Sequence, residues 1–319
     1  MSQKDTNPYP LSDSHKRYQT YDYWLKKTFG GKCAKIPLDG GFTCPNMDGK
    51  CGVGGCIYCS SRGSGDFAAS ADLPLKIQYD TQRQRLAGKW PTDRCIPYFQ
   101  ARTNTYAPID VLREKFEEVL TFDGVVGLSI ATRADCLPQE TVDYLANLAE
   151  RTVLTVELGL QTVHDQTAMS INRGHSFADF VDGYTRLTRA SSKINTCIHM
   201  ILGLPGEDIS MMLYSMRVIA RLRPTMVKLH LLHVLRGTAL GEMYEQNLYT
   251  PMTREDYVAA VVKCLEVLPP ETVVARLTGD GNGKELLAPL WSIKKMAVIN
   301  DIDKRMYREN TWQGRCFEA

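Results

Sequence analysis

The chain has 319 residues, 44% of them hydrophobic and 23% charged, which are the proportions of an ordinary soluble globular protein and exclude a disordered or fibrous design. A formal net charge of +2 does not by itself indicate a nucleic-acid binder, because that signature needs a clustered basic face. The N-terminus has no apolar leader pattern, and no stretch approaches the roughly 18 apolar residues of a spanning helix. We therefore expect a cytoplasmic protein with no membrane association.

Short β-prone runs alternate with segments of helical spacing along most of the chain. As far as about Gly31 the sequence is polar and rich in tyrosine and lysine, which predicts a partly helical lead-in. Six later runs are short, apolar and mostly β-branched, as strands buried on both faces should be. The predicted strands are Ala34–Leu38, Cys95–Gln100, Val125–Ala131, Leu154–Leu160, Asn195–Leu202 and Met226–Leu231, and the clearest predicted helices are Ile109–Leu120, Gln139–Leu148, Phe177–Leu187, Ser210–Leu222 and Thr253–Leu268.

Strands that alternate with helices predict an α/β fold with a parallel sheet, either doubly wound or curved into a partial barrel. Beyond Pro270 the alternation fails, and one more strand at Thr272–Leu277 is followed by a glycine-rich loop and a basic tail. We therefore predict an N-terminal lead-in over residues 1–31, the α/β unit over 32–270, and a small C-terminal appendage of strand and tail over 271–319.

A glycine-rich segment directly after the first predicted strand contains Cys44, Cys51, Cys56 and Cys59. In a reducing compartment such clusters indicate metal binding more often than disulfides. A loop this rich in glycine can fold closely around an iron–sulfur cluster and direct backbone N–H groups at its sulfides. Zinc is disfavoured because the six residues between Cys44 and Cys51 make a poor zinc knuckle, and a thioredoxin-like pair is disfavoured because Cys56 and Cys59 open no clear helix.

The loop begins Gly-Gly-Phe-Thr-Cys-Pro-Asn and ends Gly-Gly-Cys-Ile-Tyr-Cys, and in this it resembles the radical S-adenosylmethionine (SAM) superfamily. Its spacing, C-x₁₁-C-x₂-C in place of the usual C-x₃-C-x₂-C, is similar to that of the YtqA/YhcC-type (MnmL-type) family related to the Elongator catalytic subunit. The likeness runs from about Lys35 to Trp291. It implies a partial (β/α)₆ TIM-like barrel with a [4Fe–4S] cluster on Cys44, Cys56 and Cys59, one iron open for SAM, and Cys51 as a surplus thiol.

Polar residues at the carboxyl ends of the strands are the candidates for binding SAM, because parallel barrels carry their chemistry there. Glu157 and Gln161 stand four residues apart on one face of the fourth strand, and a buried strand has little use for them unless they meet a ligand. The resemblance implies that Arg173 pairs with the methionine carboxylate of SAM, while His175 suits a structural role equally well. It also implies that Gly203, Pro205, Gly206 and Glu207 line the adenine and that His230 lies near it, although a buried core histidine explains His230 equally well.

The resemblance implies the chemistry as well. SAM on the open iron accepts an electron from the reduced cluster and breaks to give methionine and a 5′-deoxyadenosyl radical, which removes a hydrogen atom from the substrate. A reductant such as flavodoxin or ferredoxin would supply the electron. Side chains that alternate after the second strand are predicted to line the substrate side, namely Tyr98, Gln100, Arg102, Asn104 and Tyr106.

For the substrate, the resemblance favours tRNA, since relatives are linked to modification of the wobble uridine, here of the aminomethyl type. Both chain ends interleave basic residues with aromatics, which can neutralise phosphates while stacking unpaired bases, although a solvated surface explains them too. The alternative function is a radical SAM enzyme acting on a small metabolite, such as a tetrapyrrole or cofactor precursor. The candidate tRNA contacts are Lys294, Lys295 and Trp312, within a wider set of Lys16, Arg17, Tyr18, Tyr21, Tyr23, Trp24, Lys26, Lys27, Lys284, Trp291, Lys304, Arg305, Arg308 and Arg315.

Overall fold

A parallel sheet forms the centre of the molecule. The computed structural model describes residues 7–60, 62–63, 68–89, 91–279 and 283–318. Seven strands in this part form one sheet, in the spatial order in which they follow along the chain. They are β1 (Ala34–Leu38), β2 (Cys95–Phe99), β3 (Gly127–Thr132), β4 (Val153–Gln161), β5 (Asn195–Leu202), β6 (Met226–Leu231) and, after the short β7 (Val234–Leu235), β8 (Val273–Arg276); β7 forms a separate antiparallel pair with β9 (Leu286–Ala288).

Helices connect the strands, and side-chain caps fix where several of them begin. Ser176 and Asp179 form a capping box at the start of the sixth helix, and Thr253 accepts a hydrogen bond from the Asp256 N–H at the start of the ninth. The helices are α1 (Tyr21–Phe29), α2 (Leu75–Ala87), α3 (Ile109–Leu120), α4 (Gln139–Ala149), α5 (Asp165–Ser170), α6 (Phe177–Ala190), α7 (Ile209–Arg221), α8 (Ala239–Glu245), α9 (Arg254–Val267) and α10 (Lys295–Arg308).

The α/β fold predicted from the sequence is confirmed, and the sheet curves into a partial barrel with one strand more than the six expected. The strand predicted at Thr272–Leu277 exists as β8, but its placement in an appendage is wrong. It pairs in parallel with β6 and forms the edge of the main sheet. The reason is packing, because Val273 is buried with Met226 and Cys197, so the strand completes the core instead of leaving it.

The two ends of the chain meet at the β8 edge of the sheet. Thr20 forms a parallel bridge to Val274, and the Val274 N–H donates to the Gln19 carbonyl at 2.8 Å. The Gln313 N–H donates in turn to the Arg17 carbonyl at 2.9 Å. The predicted lead-in, of which residues 1–6 lie outside the described part, and the predicted tail therefore form one structure that covers the last strand.

Because the strands of the main sheet run parallel, their carboxyl ends lie at one edge, where the loops after β1, β3 and β4 come together. This edge positions the candidate site. No helix in the described part of the chain is both long enough and apolar enough to cross a membrane.

Candidate active site

A cavity of about 300 Å³ runs from this edge into the barrel, within the range of small-molecule sites. Its two regions differ in chemistry. What we call the cysteine end lies among the loops at the carboxyl edge, and what we call the inner end lies among side chains in the middle of the strands. The cysteine end is lined by Cys44, Cys56, Cys59, Arg133, Arg173 and His175, and the inner end by Tyr98, Glu157, His199, Lys228, His230 and Arg276.

Three of the loop cysteines face the cavity, none of them in a disulfide, and the fourth does not face it. Cys44, Cys56 and Cys59 line its wall, whereas Cys51 is exposed and borders a second cavity beside Tyr106. A hydrogen bond with the Cys59 thiol lowers the pKa of Cys56 to about 7, although burial opposes that shift. The loop therefore offers three thiols, one of them with raised thiolate character, to a single space.

Two asparagines clamp the cysteine loop onto the loop after α5. The Asn46 side-chain amide donates to the Asn172 carbonyl and lies 3.8 Å from the Cys56 sulfur. The Asn172 amide donates back to the carbonyls of Val53 and Gly55, at 3.1 and 2.7 Å. A Cβ at Gly174 would lie 2.5 Å from Asn46 Oδ1, so glycine is required for this close approach.

This arrangement fits a [4Fe–4S] cluster. Iron–sulfur clusters take thiolate ligands, and three thiols on one cavity leave one iron of a four-iron cluster open to another ligand. A structural zinc site needs a closed tetrahedral set, and Cys51 does not share the cavity with the other three. The donor set therefore favours the iron–sulfur interpretation.

Arg173 does not have the role expected from the sequence. Its guanidinium is 1% exposed and donates to the carbonyls of Leu160 and Thr162, both at 2.6 Å, and of His175, with Asp165 at 3.5 Å. These contacts occupy its donors, so the predicted bidentate pair with the SAM carboxylate is not supported. Arg173 instead fixes the course of the chain after β4.

Glu157 is likewise occupied by protein contacts, so its predicted contact with the cofactor is not supported either. The carboxylate is 1% exposed and accepts from Ser129 and His199, both at 2.8 Å, and from the ammonium groups of Lys35 and Lys228. Burial raises the pKa of Glu157, but Lys228 and Lys35 outweigh it and hold the pKa well below its usual value. Glu157 is thus a buried anion whose oxygens are fully used, which also argues against a metal site with Cys197 and His199.

Polar atoms without a described partner remain at both ends of the cavity. The Gln161 side chain lines the wall and folds over Gly159, where a Cβ would lie 2.7 Å from Gln161 Nε2. Nε2 of His175 and Nε2 of His230 are buried without a hydrogen-bond partner. Burial, reinforced by Arg173, lowers the pKa of His175 to about 4, so this imidazole is neutral at pH 7. These three side chains can still bind a ligand.

The glycine–proline segment after β5 lies outside the described cavity wall. The Tyr249 hydroxyl donates to the Gly203 carbonyl at 2.7 Å, and the Thr162 hydroxyl donates to Glu207 at 2.5 Å. Neither Pro205 nor Gly206 lines the cavity. These four residues do not line the cavity that the cysteines share, and their contact with the adenine stays a prediction.

The residues after β2 divide into two groups. Tyr98, Gln100 and Arg102 line the cavity, as expected of the substrate side. Asn104 is fully buried and donates to the carbonyls of Phe99 and Ala131, and Tyr106 lies at the second cavity under the Lys50 ammonium. Asn104 and Tyr106 therefore do not line this cavity with the other three, because the strand ends at Phe99.

The chain ends give a smaller basic surface than the sequence suggests. Arg17 is buried and donates to the Met306 and Thr311 carbonyls and to Asn310, and Lys16 pairs with Asp303. Trp312 is half-buried with Arg315 over its ring at 5.1 Å, and Lys295 is half-buried at the start of α10. The basic side chains of this surface that remain exposed include Lys27, Lys294, Lys304, Arg308 and Arg315.

Three basic residues of the cavity wall were assigned no cofactor or substrate role from the sequence. Lys228 and Arg276 line the inner end, and Arg133 lines the cysteine end, where it donates to the Arg173 and Gly174 carbonyls and pairs with Asp135. Lys228 could have been found by its position, because a lysine inside an apolar strand of the sheet has to meet a partner. Arg276 is the last residue of β8, a strand that the sequence placed in the C-terminal appendage and not in the barrel.

Comparisons with known proteins agree with this geometry. The Radical SAM superfamily profile matches residues 49–219, and the Radical_SAM C-terminal domain profile matches residues 224–308. The chain is 48% identical to YtqA of Bacillus subtilis over 98% of this chain and 96% of that protein, and 34% identical to YhcC of Escherichia coli over 91% and 92%. It is 27% identical to a tRNA uridine(34) acetyltransferase of Methanocaldococcus jannaschii over 49% of this chain and 28% of the relative.

Among solved structures, Elp3 of the archaeon Methanocaldococcus infernus with an N-terminal deletion superposes with a TM-score of 0.66 at 20% identity. The match covers 88% of this chain and 64% of that chain. At this identity the likeness shows a shared fold.

Proposed function

Because the chain belongs to the radical SAM superfamily, whose enzymes use a [4Fe–4S] cluster and SAM, we propose that it is a radical SAM enzyme that modifies the wobble uridine of tRNA at an aminomethyl-type substituent. The observation that carries the proposal is that three cysteine side chains line one cavity, which continues into a polar interior. When bound, the cluster and SAM supply the means to remove a hydrogen atom from a C–H bond. We propose a flavodoxin or ferredoxin as the electron donor.

Cys44, Cys56 and Cys59 are the proposed cluster ligands. The superfamily profile starts at residue 49, so it includes Cys51 and leaves out Cys44. The geometry favours Cys44, because its side chain shares the cavity with Cys56 and Cys59, whereas Cys51 is exposed at a different cavity. Asn46 holds the loop so that these three face inward.

The side chains proposed to bind SAM are those that the protein leaves available along the cavity. At the cysteine end these are the Gln161 amide and the buried Nε2 of His175. Further in, His230 offers its own buried Nε2 to the adenine. Each of them can donate to or accept from the cofactor without breaking a described contact, which Arg173 and Glu157 cannot do.

A tRNA substrate is supported by the partial likeness to the tRNA uridine(34) acetyltransferase and by the basic surface that the two chain ends build together. Lys27, Lys294, Lys304 and Arg308 are exposed there and available to phosphates. The interior of the barrel is reached from the carboxyl edge, so a nucleotide would have to leave its stack to enter, as unpaired anticodon bases do.

Salt-dependent binding of tRNA tests this substrate directly. Log K for the anaerobic holoenzyme should fall by about 0.7 per log unit of salt for each single-strand phosphate contact. The double variant Lys294→Ala/Lys304→Ala should reduce that slope by roughly one to two units, because two contacts are lost. The matched control is Lys193→Ala, an exposed lysine beside Glu150 before β5, which should not change the slope. Absence of binding at low salt would favour the small-metabolite function.

A further inference from the structure

The inner end of the cavity carries more positive than negative charge. Among the described residues that line this end, Glu157 is the acidic one, and Lys228 and Arg276 are basic. A further basic residue, Lys35 on β1, contacts Glu157 from outside the cavity wall. One carboxylate therefore faces three basic side chains, although burial lowers the pKa of Lys228 to about 8. Buried charge of one sign is costly unless a partner neutralises it, so this end of the cavity favours an anion.

Arg276 is the least compensated of these cations. It is the last residue of β8, it is half-buried, and it lines the cavity. No described residue accepts a hydrogen bond from its guanidinium, and Glu157 already has four donors. Arginine presents its N–H groups in a rigid fork that matches the two oxygens of a carboxylate or phosphate.

Lys228 stands beside Arg276, because the two residues are register partners on neighbouring strands. Its ammonium donates to Glu157 and lies 3.4 Å from the Tyr98 hydroxyl, with the Tyr98 ring centroid 4.8 Å away. An ammonium has three donors, and the third has no described partner. Arg276 and Lys228 together thus present unused N–H groups to the same end of one cavity.

The cofactor does not account for these two cations, because the part of SAM proposed to reach His230 at this end is the uncharged adenine. In the proposed function the SAM carboxylate lies at the open iron, which places it at the cysteine end with Cys44, Cys56 and Cys59. An internal RNA phosphate does not fit either, because it continues into the chain on both sides, whereas the inner end lies among mid-strand side chains. The remaining ligand is a terminal anionic group.

We propose that the inner end of the cavity is a substrate site in which Arg276 and Lys228 bind a terminal carboxylate or phosphate group. This rests on the proposed function only in taking the cavity as the place where substrate meets cofactor. If the substrate is a modified uridine, the anionic group lies on the base substituent and sets which substituents the enzyme accepts. The bound anion also fixes the substrate at a constant depth from the cysteine end.

The test uses the anaerobic holoenzyme with an oxidised cluster and saturating SAM, so that the cofactor is intact and its own carboxylate position is filled. Calorimetric titration with N-acetylglycine probes for a terminal carboxylate, and titration with methyl phosphate probes for a terminal phosphate. N-Acetylglycinamide is the uncharged control. Binding of either anion but not of the amide supports the site, and the tighter of the two anions identifies the substrate group.

Arg276→Gln should weaken the preferred anion at least about tenfold, because charge-assisted hydrogen bonds are lost. Arg276→Lys keeps the charge and should lose less. The matched control Arg217→Gln, on the outer face of α7, should bind as wild type does. Circular dichroism and iron content establish whether each variant is folded. If Arg276→Gln is not folded, the affinity of Arg276→Lys is compared with that of wild type instead. Equal affinity in wild type and Arg276→Gln, or no anion binding by wild type, would overturn the site.

The same variants separate this proposal from the tRNA proposal. Arg276→Gln should keep the wild-type salt slope for tRNA, because the chain-end surface is untouched. Failure of tRNA binding with intact anion binding counts against tRNA alone. Failure of anion binding with intact tRNA binding counts against the inner site alone.

Discussion

Replacing Glu157 with glutamine tests the description of the barrel interior. The substitution keeps the shape of the side chain and removes its charge. Lys228, whose side chain is 7% exposed, and Lys35, at 22%, would then lose the carboxylate that compensates them. Removing one partner of a buried ion pair costs about 3–5 kcal/mol, because the other charge is left unpaired. Lys35 keeps some access to water, so we expect about 3 kcal/mol.

The assay is urea unfolding at pH 7.5, with wild type and variant compared at the same cluster content. With an m-value of about 3 kcal/mol/M, a loss of about 3 kcal/mol lowers the unfolding midpoint by about 1 M. The control is Glu150→Gln. Glu150 pairs with Lys193 on the surface, where both side chains are more than half exposed, so its loss should cost under about 1 kcal/mol.

A second substitution identifies the cause of the loss. If the cost comes from uncompensated charge, Glu157→Gln/Lys228→Met should be more stable than Glu157→Gln alone, since one buried cation is removed. A single variant within 1 kcal/mol of wild type, or a double variant less stable than the single one, would refute the idea that Glu157 is the counter-ion of this network.

Three further predictions concern neighbouring residues. Burial, reinforced by Lys228, lowers the pKa of His199 to about 4, whereas the ordinary histidine pKa is 6.5. Between these two pH values the unfolded chain carries a proton on His199 that the folded chain does not. The free energy of unfolding should therefore fall by about 2 kcal/mol between pH 8 and pH 5 on account of His199. In His199→Gln, urea unfolding should show a fall that is smaller by about 2 kcal/mol over the same pH range. Arg173→Ala should unfold at clearly lower urea than wild type. The buried Thr162 carbonyl loses its described side-chain donor, at about 1–3 kcal/mol, and the Leu160 and His175 carbonyls each lose a further hydrogen bond; wild-type stability would show that these bonds are not important. Gln161→Ala should keep the iron content of wild type and bind SAM at least about tenfold more weakly in equilibrium dialysis, and unchanged SAM affinity would remove Gln161 from the site.

The main elements of the fold could be predicted because their patterns are local. Short apolar runs gave the strands of the barrel almost to the residue, as with Asn195–Leu202. The position of β8 could not be predicted, since the partner of a strand is not encoded in the strand itself. Helix α2 was missed for a different reason, because it is mostly polar and two of its buried residues, Gln78 and Gln82, are polar as well.

The candidate site also has one part that could be predicted from the sequence and one part that could not. The cysteine loop is one continuous segment, so its spacing was informative. The inner end is assembled from single residues on separate strands, and no short motif contains both Lys35 and Lys228. The sequence also indicated Arg173 and Glu157 as residues that bind SAM, but it could not show that protein groups already use their hydrogen bonds. Geometry was needed to decide which side chains remain free for a ligand.

The most direct test of the central claim is the cluster itself. Anaerobically reconstituted protein should hold about four irons per chain, and Cys44→Ala, Cys56→Ala and Cys59→Ala should each abolish the cluster's absorbance. Cys51→Ala, a matched change in the same loop, should keep the cluster and cleave SAM under reducing conditions. Stoichiometric zinc without iron, or loss of the cluster in Cys51→Ala with retention in Cys44→Ala, would contradict the account.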